Sequence, residues 1–310
     1  LFIAGSIIYL KTALPNVGEA PDLTIESTPE RLARGEYLAN TVALCTDCHS
    51  KRNWDYYAGP SHPETRGAGG EMFNQELGFP GSYSAKNITP FRLKNWTDGE
   101  IFRAITSGVS KDGSALFPVM PYLNYGQMDE EDIYSIIAYI RSLPEHENVM
   151  PASSSDFPVN IFINTMPQKP NFKKRPSKSD QIAYGEYMYN VAACNECHTP
   201  IDEQGMKIPG MDFAGGFKFI LPKGGTVRSS NLTPHETGLK NWTTEQFVAR
   251  FKMYKDSAYV NPKVEPGKFN TVMPWLRYAE MDSTDLAAMF AYLQTVEPID
   301  NTVERFTADD

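Results

Sequence analysis

The sequence predicts a mainly α chain made of two tandem copies of one helical domain. Three observations carry that expectation: an internal repeat, apolar stripes at helical spacing, and paired helix-start signals. The repeat brings "RGEYLANTVALCTDCHS" against "YGEYMYNVAACNECHTP", with an offset of 149 residues between their first cysteines. It continues with "NITP" at 87–90 against "NLTP" at 231–234, and "VMPYLNYGQMDEEDIYSIIAYIRSLP" against "VMPWLRYAEMDSTDLAAMFAYLQTVEP". A period this long marks a duplicated domain rather than a solenoid.

The elements follow in order. A first helix in each copy runs up to a Cys-x-x-Cys-His motif. A second begins near Trp96 and, in the other copy, near Trp242. There Thr97 with Glu100, and Thr243 with Gln246, have the spacing of a capping box. The last helix carries Ile133, Ile136, Ile137 and Ile140, and its partner Leu286, Met289, Phe290 and Leu293. Both sets follow the i, i+3, i+4, i+7 pattern of a core-facing stripe. Pro144 and Pro298 are expected to stop these helices. Residues 146–178 are rich in proline, show no helical period and read as a linker. The expected boundaries are 22–145 and 179–310 for the domains, with 1–21 as an N-terminal segment.

Composition narrows the function classes. The 310 residues are 41% hydrophobic and carry a net charge of −9, which disfavours nucleic acid as a partner. Each domain carries −6, and the connector at 146–178 carries +3. The basic run "KKRPSK" is expected to be solvated. The opening "LFIAGSIIYLK" lacks a Met, and its ten residues before Lys11 are mostly apolar. They are too short for a span of ~20 residues and are expected to be the end of an N-terminal membrane anchor that begins upstream.

The chemistry lies in the two motifs. Cys45, Cys48 and His49 form one, and Cys194, Cys197 and His198 the other; these are the only four cysteines. A zinc ribbon would bring its two knuckles ~15–20 residues apart and needs no His behind each. A domain-length separation with both histidines present points to covalent haem c, one per motif, with thiols on the porphyrin and His49 and His198 on iron. Between each motif and its "NxTP" lies a Gly/Pro-rich stretch of roughly forty residues, reasonable if it wraps a large flat cofactor. The sixth iron position has a matched candidate in each half, Met120 in "FPVMPY" and Met273 in "NTVMPW". A following proline favours an extended loop that can hang a thioether over the haem face. Met128 and Met281 are also repeat-matched, but they directly precede the last helices, where packing is the simpler role. Asn87 and Asn231, with Thr89 and Thr233, are expected to fix the loop beside the haem. Trp96 and Trp242 carry an indole N–H that a haem propionate or the core could take up. An iron whose six positions are filled, four by the porphyrin and two by the protein, passes electrons and does not readily bind peroxide or oxygen.

The "GEYLA…CxxCH" opening, "NITP" with "NWTDGEIFRAI", and "MPY" ahead of "IIAYIRSLP" resemble the cytochrome c subunits of membrane-bound periplasmic alcohol, gluconate and aldehyde dehydrogenases. The resemblance covers most of residues 28–145 and 179–298. It implies two cytochrome c-like domains, exported and given haem outside the cytoplasm. Two departures stand out: those subunits commonly carry three haems, and they usually have Asp after "NITP", where this chain has Phe91 and His235. The implied function is single-electron transfer between a periplasmic or membrane-bound donor and a respiratory acceptor, in a subunit that is not itself an enzyme. Redox proteins and other subunits of a membrane complex are the implied partners, on the periplasmic side of a bacterial inner membrane. The alternative is a dihaem peroxidase-type enzyme, which needs one labile iron position.

Overall fold

The structure is a computed structural model that describes residues 2–309. In the first half, α1 (Phe2–Thr12) precedes α2 (Pro29–Tyr37), α3 (Cys45–Cys48), α4 (Pro90–Leu93), α5 (Asp98–Ser107), α6 (Tyr122–Tyr125) and α7 (Glu130–Ser142). The connector holds α8 (Val159–Phe162). The second half contains α9 (Gln181–Val191), α10 (Cys194–His198), α11 (Thr244–Lys252), α12 (Trp275–Tyr278) and α13 (Ser283–Leu293). Short strands β1 (Met72–Phe73), β2 (Gly81–Ser84), β3 (Ser154–Ser155), β4 (Lys218–Ile220), β5 (Thr226–Arg228) and β6 (Phe306–Thr307) form two three-stranded antiparallel sheets, ordered β1-β2-β3 and β4-β5-β6. The chain is helix-rich, and the Gly/Pro-rich stretches read as loops contain two strands of each sheet. In both halves the segment after the last long helix returns to add the third strand.

Local chemistry explains the helices. Thr97 and Thr243 each accept a hydrogen bond from the backbone N–H of Glu100 and Gln246, whose side chains reach back to the cap N–H, so both capping boxes form. The predicted stripes of α7 and α13 are buried. Each such side chain contributes about 1.5–3 kcal/mol when withdrawn from water. The helix α7 ends at Ser142, with Leu143 extended before Pro144. Pro298 does not stop α13: that helix ends at Leu293, and its cap Gln294 bonds back to Phe290 and Tyr292. In each half the first long helix crosses the last at backbone contact. A Cβ on Gly35 would lie 1.9 Å from the Ser135 carbonyl oxygen, and one on Gly185 1.9 Å from that of Ala288. Only glycine permits that approach.

The two halves are fused by a reciprocal exchange. The Tyr37 hydroxyl donates to Asp285 (2.9 Å) and accepts from the Asp282 N–H (3.1 Å). Its repeat partner Tyr187 donates to Asp132 (2.7 Å) and accepts from the Asp129 N–H (3.1 Å). Both carboxylates are 0% exposed. Their remaining oxygen capacity is met by cations. Arg34 pairs with Asp132 at 2.8 Å and Arg175 at 2.5 Å, while Lys178 pairs with Asp285 at 2.7 Å. Burial works against the charge of Arg34, and Asp132 outweighs it, so the guanidinium is held charged. Burial followed by the nearby Asp285 raises the Tyr37 hydroxyl, which stays a donor.

The charged residues of "KKRPSK" are exposed, as the solvated reading expects, and they also make contacts within the chain. Arg175 and Lys178 clasp the buried acids of both halves, and Lys174 approaches Asp129 at 3.5 Å. The apolar core is likewise one connected cluster that includes residues of both halves. The N-terminal α1 lies against α8, where Asn164 donates to the Leu10 carbonyl (3.1 Å). Leu1, part of the expected anchor, lies outside the described residues. Among the described residues no helix is long and apolar enough to cross a membrane.

Replacing Asp132 by Ala strands Arg34 beside a dry site and removes the acceptor of Tyr187. Breaking a buried pair from one side costs about 3–5 kcal/mol. Urea unfolding of Asp132→Ala should show a loss of that order, whereas Glu131→Ala, at an exposed ion pair, should lose at most ~1 kcal/mol.

Candidate functional site

The first motif is delivered by α2, but not by a plain α-helix. Seven residues separate Tyr37 from Cys45, against six between Tyr187 and Cys194. The extra residue is absorbed in a π-helical turn at Leu38–Val42, closed by a bond from the Ala43 N–H to the Leu38 carbonyl (2.8 Å). In the second half the matching bond, Ala192 to Met188 (3.0 Å), has α spacing. A π turn is the usual way for a helix to swallow one insertion. Both helices then end on a non-glycine residue in the left-handed region, Leu44 at φ 57° and Ala193 at φ 51°. Such conformers cost of order 1–3 kcal/mol and concentrate at functional sites. Here each one turns the chain so that the first cysteine starts a new helical turn.

Each motif is latched by a tyrosine of its own half. Tyr125 on α6 donates to the Ala43 carbonyl (2.8 Å), and Tyr278 on α12 to that of Ala192 (3.1 Å). The histidines are fixed in the same paired way. Nδ1 of His49 lies 2.5 Å from the Lys86 carbonyl oxygen, and Nδ1 of His198 2.8 Å from that of Ser230. A carbonyl can only accept, so Nδ1 carries the proton and Nε2 keeps its lone pair for a metal. Burial lowers both imidazoles, which favours that neutral form.

The loops carrying these carbonyls are braced by Asn87 and Asn231. Each Oδ1 accepts from the N–H and hydroxyl of the threonine two residues on, Thr89 or Thr233. Each Nδ2 donates to the segment after the last helix, to the carbonyls of His146 and Asn148 or of Ile299. Asn87 is therefore not on a cavity wall; it holds the residue that holds His49.

Cys45, Cys48 and His49 open into a cavity of about 450 Å³ walled mainly by apolar side chains. Met120 and Trp96 are on its wall, as are Lys86 and Arg92. Met120 is half-buried, whereas Met128 and Met281 are 0% exposed in the core. Met273 is the half-buried counterpart of Met120, its N–H held by the Thr271 hydroxyl (3.0 Å). Trp242 departs from Trp96: it is 37% exposed. His235 bonds Thr237 and neighbours Asp300 near the surface, in keeping with a surface role.

The cavity fits a haem in kind. It offers two thiols, a presented imidazole nitrogen, a thioether and a flat apolar interior. It also offers Arg92, whose guanidinium lies 4.9 Å from the Trp96 ring and feels Asp112 without forming an ion pair with it. Burial pushes Cys45, Cys48 and Cys197 up to about 12 and raises Cys194 further. Cys48 and Cys197 are nonetheless exposed to solvent. These are accessible neutral thiols rather than poised thiolates, unlike those of a redox dithiol. Among the described residues no cluster of three or more His, Cys, Asp or Glu is placed to hold a metal ion, so the four cysteines do not assemble a zinc site.

The chain resembles cytochrome c subunits of dehydrogenases. It is 25% identical over 308 residues to the cytochrome c subunit of an alcohol dehydrogenase (quinone) from Gluconacetobacter polyoxogenes, covering 94% of this chain and 61% of that one. It is 25% identical over 283 residues to the fructose dehydrogenase cytochrome subunit of Gluconobacter japonicus, covering 86% and 52%. A diheme cytochrome c-type protein of Cereibacter sphaeroides matches at 25% over 233 residues, covering 68% and 72%. The chain thus spans about half to six-tenths of the two dehydrogenase subunits. No family model matches.

Asn87→Ala removes the partner of the buried Thr89 N–H and loosens the Lys86 carbonyl. Each stranded buried group costs about 1–3 kcal/mol. Thermal unfolding of Asn87→Ala and Asn231→Ala should each show a loss of about 2–4 kcal/mol, and an unchanged midpoint would remove the bracing role.

Proposed function

We propose that the chain is a dihaem c-type cytochrome that passes single electrons, as a non-catalytic subunit of a membrane-associated oxidoreductase complex. The observation that carries this is the cavity uniting Cys45, Cys48, His49 and Met120. The repeated latches around Cys194, Cys197 and His198 extend the reading to a second haem. Residues 22–145 and 179–310 are then two tandem cytochrome c-like domains, with 146–178 between them. Cys45, Cys48, Cys194 and Cys197 hold the two haems covalently, His49 and His198 ligate iron, and Met120 and Met273 fill the opposite positions. When bound, the haem supplies a one-electron couple. The protein supplies ligand identity, burial and spacing.

The matched methionines favour a carrier over a peroxidase, because a filled sixth position leaves no room for peroxide. The relatives' names support a place beside a dehydrogenase catalytic subunit. With −6 on each domain, a partner that docks by charge is basic at its contact. The apolar segment at residues 1–10 takes part in membrane attachment in this reading, and the site of action is the periplasmic face of a bacterial inner membrane.

Protein produced with a haem-attachment system should carry two haems per chain, retained through acid–acetone extraction; one haem, or zinc, would sink the reading. Met120→Ala and Met273→Ala should each open one iron to carbon monoxide and lower its potential. If Met128→Ala or Met281→Ala does so instead, the distal assignment is wrong in that half.

A further inference from the structure

The two sites are alike in ligands and unlike in charge. At the first, the residue whose carbonyl holds His49 is Lys86; at the second, the residue holding His198 is Ser230. The repeat aligns "RLKNW" with "GLKNW", so Arg92 stands where the second half has Gly238. Lys86 and Arg92 both line the first cavity. Lys86 is satisfied by the Ser84 hydroxyl and the Pro151 carbonyl, both neutral, so its charge is not cancelled. Arg92 rests on Trp96 and forms no ion pair among the described residues; Asp112 is the carboxylate within its reach and offsets its charge only from a distance.

The other charges near the first motif balance. Asp47, inside the motif, is met by Arg277 (3.2 Å) and Arg52 (3.8 Å), and the half-buried Glu71 also lies in reach of Arg52. At the second motif Glu196 is paired with Lys207 at 2.7 Å. The second half has cations of its own: Arg250 occupies the position of the cavity-lining Ala104, Lys252 that of Thr106, where it donates to the Ala279 and Met281 carbonyls, and Arg277 that of Asn124, where it pairs with Asp47. The Arg250 guanidinium lies 4.0 Å from the Trp275 ring and donates to the Tyr254 hydroxyl (2.5 Å).

A cation beside a redox centre favours the state with one more electron, and it does so more strongly away from water. Since the ligand types match, charge decides the order. We infer that Lys86 and Arg92 make the first haem site the higher-potential one, so that electrons run from the second half to the first. One electron leaves the iron of the second site, oxidising it from ferrous to ferric, and reduces the iron of the first from ferric to ferrous; no proton need move. The inference rests on the proposed dihaem function, and the direction is its addition.

The test is a potentiometric titration of the dihaem protein followed by visible absorbance, after mass spectrometry has shown two haems per chain. The wild type should give two waves. Arg92→Gln should lower the upper wave alone, and Lys86→Gln with Arg92→Gln should narrow the gap further. Ser230→Lys, at an exposed position, should raise the lower wave. Protein with Cys194→Ser and Cys197→Ser, if it folds, should retain only the upper wave. The inference is overturned if Arg92→Gln moves the lower wave, if the two sites titrate together, or if Arg250→Gln shifts its wave more than Arg92→Gln shifts the other. Failure to find two haems would refute the dihaem function instead, and is read before any titration.

Discussion

The structure depends on two carboxylates kept out of water. Asp132 and Asp285 sit at the starts of the last long helices, fully buried, and the partner each has in its own half, Arg34 or Tyr184, does not complete its hydrogen bonds. Each takes a tyrosine hydroxyl from the other repeat and a cation from the connecting segment. An ion in a dry interior costs several kcal/mol unless its hydrogen bonds are complete. The arrangement is therefore demanding: it tolerates one relative placement of the halves. It acts as a specificity device more than as a source of stability.

That placement is what the site inherits. Tyr37 and Tyr187 are fixed in the exchange, and the chain reaches the cysteines within two turns of them. The Asp exchange thus anchors one end of each motif, and Tyr125 or Tyr278 anchors the next stretch. The histidine carbonyl partners come from loops braced by Asn87 and Asn231, which are tied in turn to the tails that follow α7 and α13. The cysteines and histidine of each motif are thus held from three directions, which suits the haem ligation proposed for them.

Much of this was legible in the residues. Period and spacing sufficed for the capping boxes, the stripes of α7 and α13, the packing role of Met128 and Met281, and the brace at Asn87 and Asn231. Those signals are local, and the repeat doubled each of them. Three features escaped. The short sheets have two of their three strands in Gly/Pro-rich stretches, and the strands are two to four residues long, too short for an alternation to register. The clasp by Arg175 and Lys178 reads as a solvated run because its partners lie at the far ends of two other helices. The π turn was visible only as a one-residue mismatch between the copies, seven residues against six, and is the signal a closer count would have caught. The unlike fates of Trp96 and Trp242 show the limit of arguing from matched positions.

The link from Arg277 to Asp47 has a consequence for how the protein is made. The carboxylate inside the first attachment motif is closed by a side chain 230 residues further along the chain. Contacts of such separation form late, because loop entropy must be met before they reward the chain. The first motif's own latch, Tyr125, follows 82 residues behind Ala43, much as Tyr278 follows 86 behind Ala192, so the two motifs differ in the wait for Arg277 and not in the wait for a tyrosine. The first pair of thiols thus keeps an incomplete frame until nearly the whole chain is made, which would favour the proposed haem attachment at the site that the finished fold encloses with both halves.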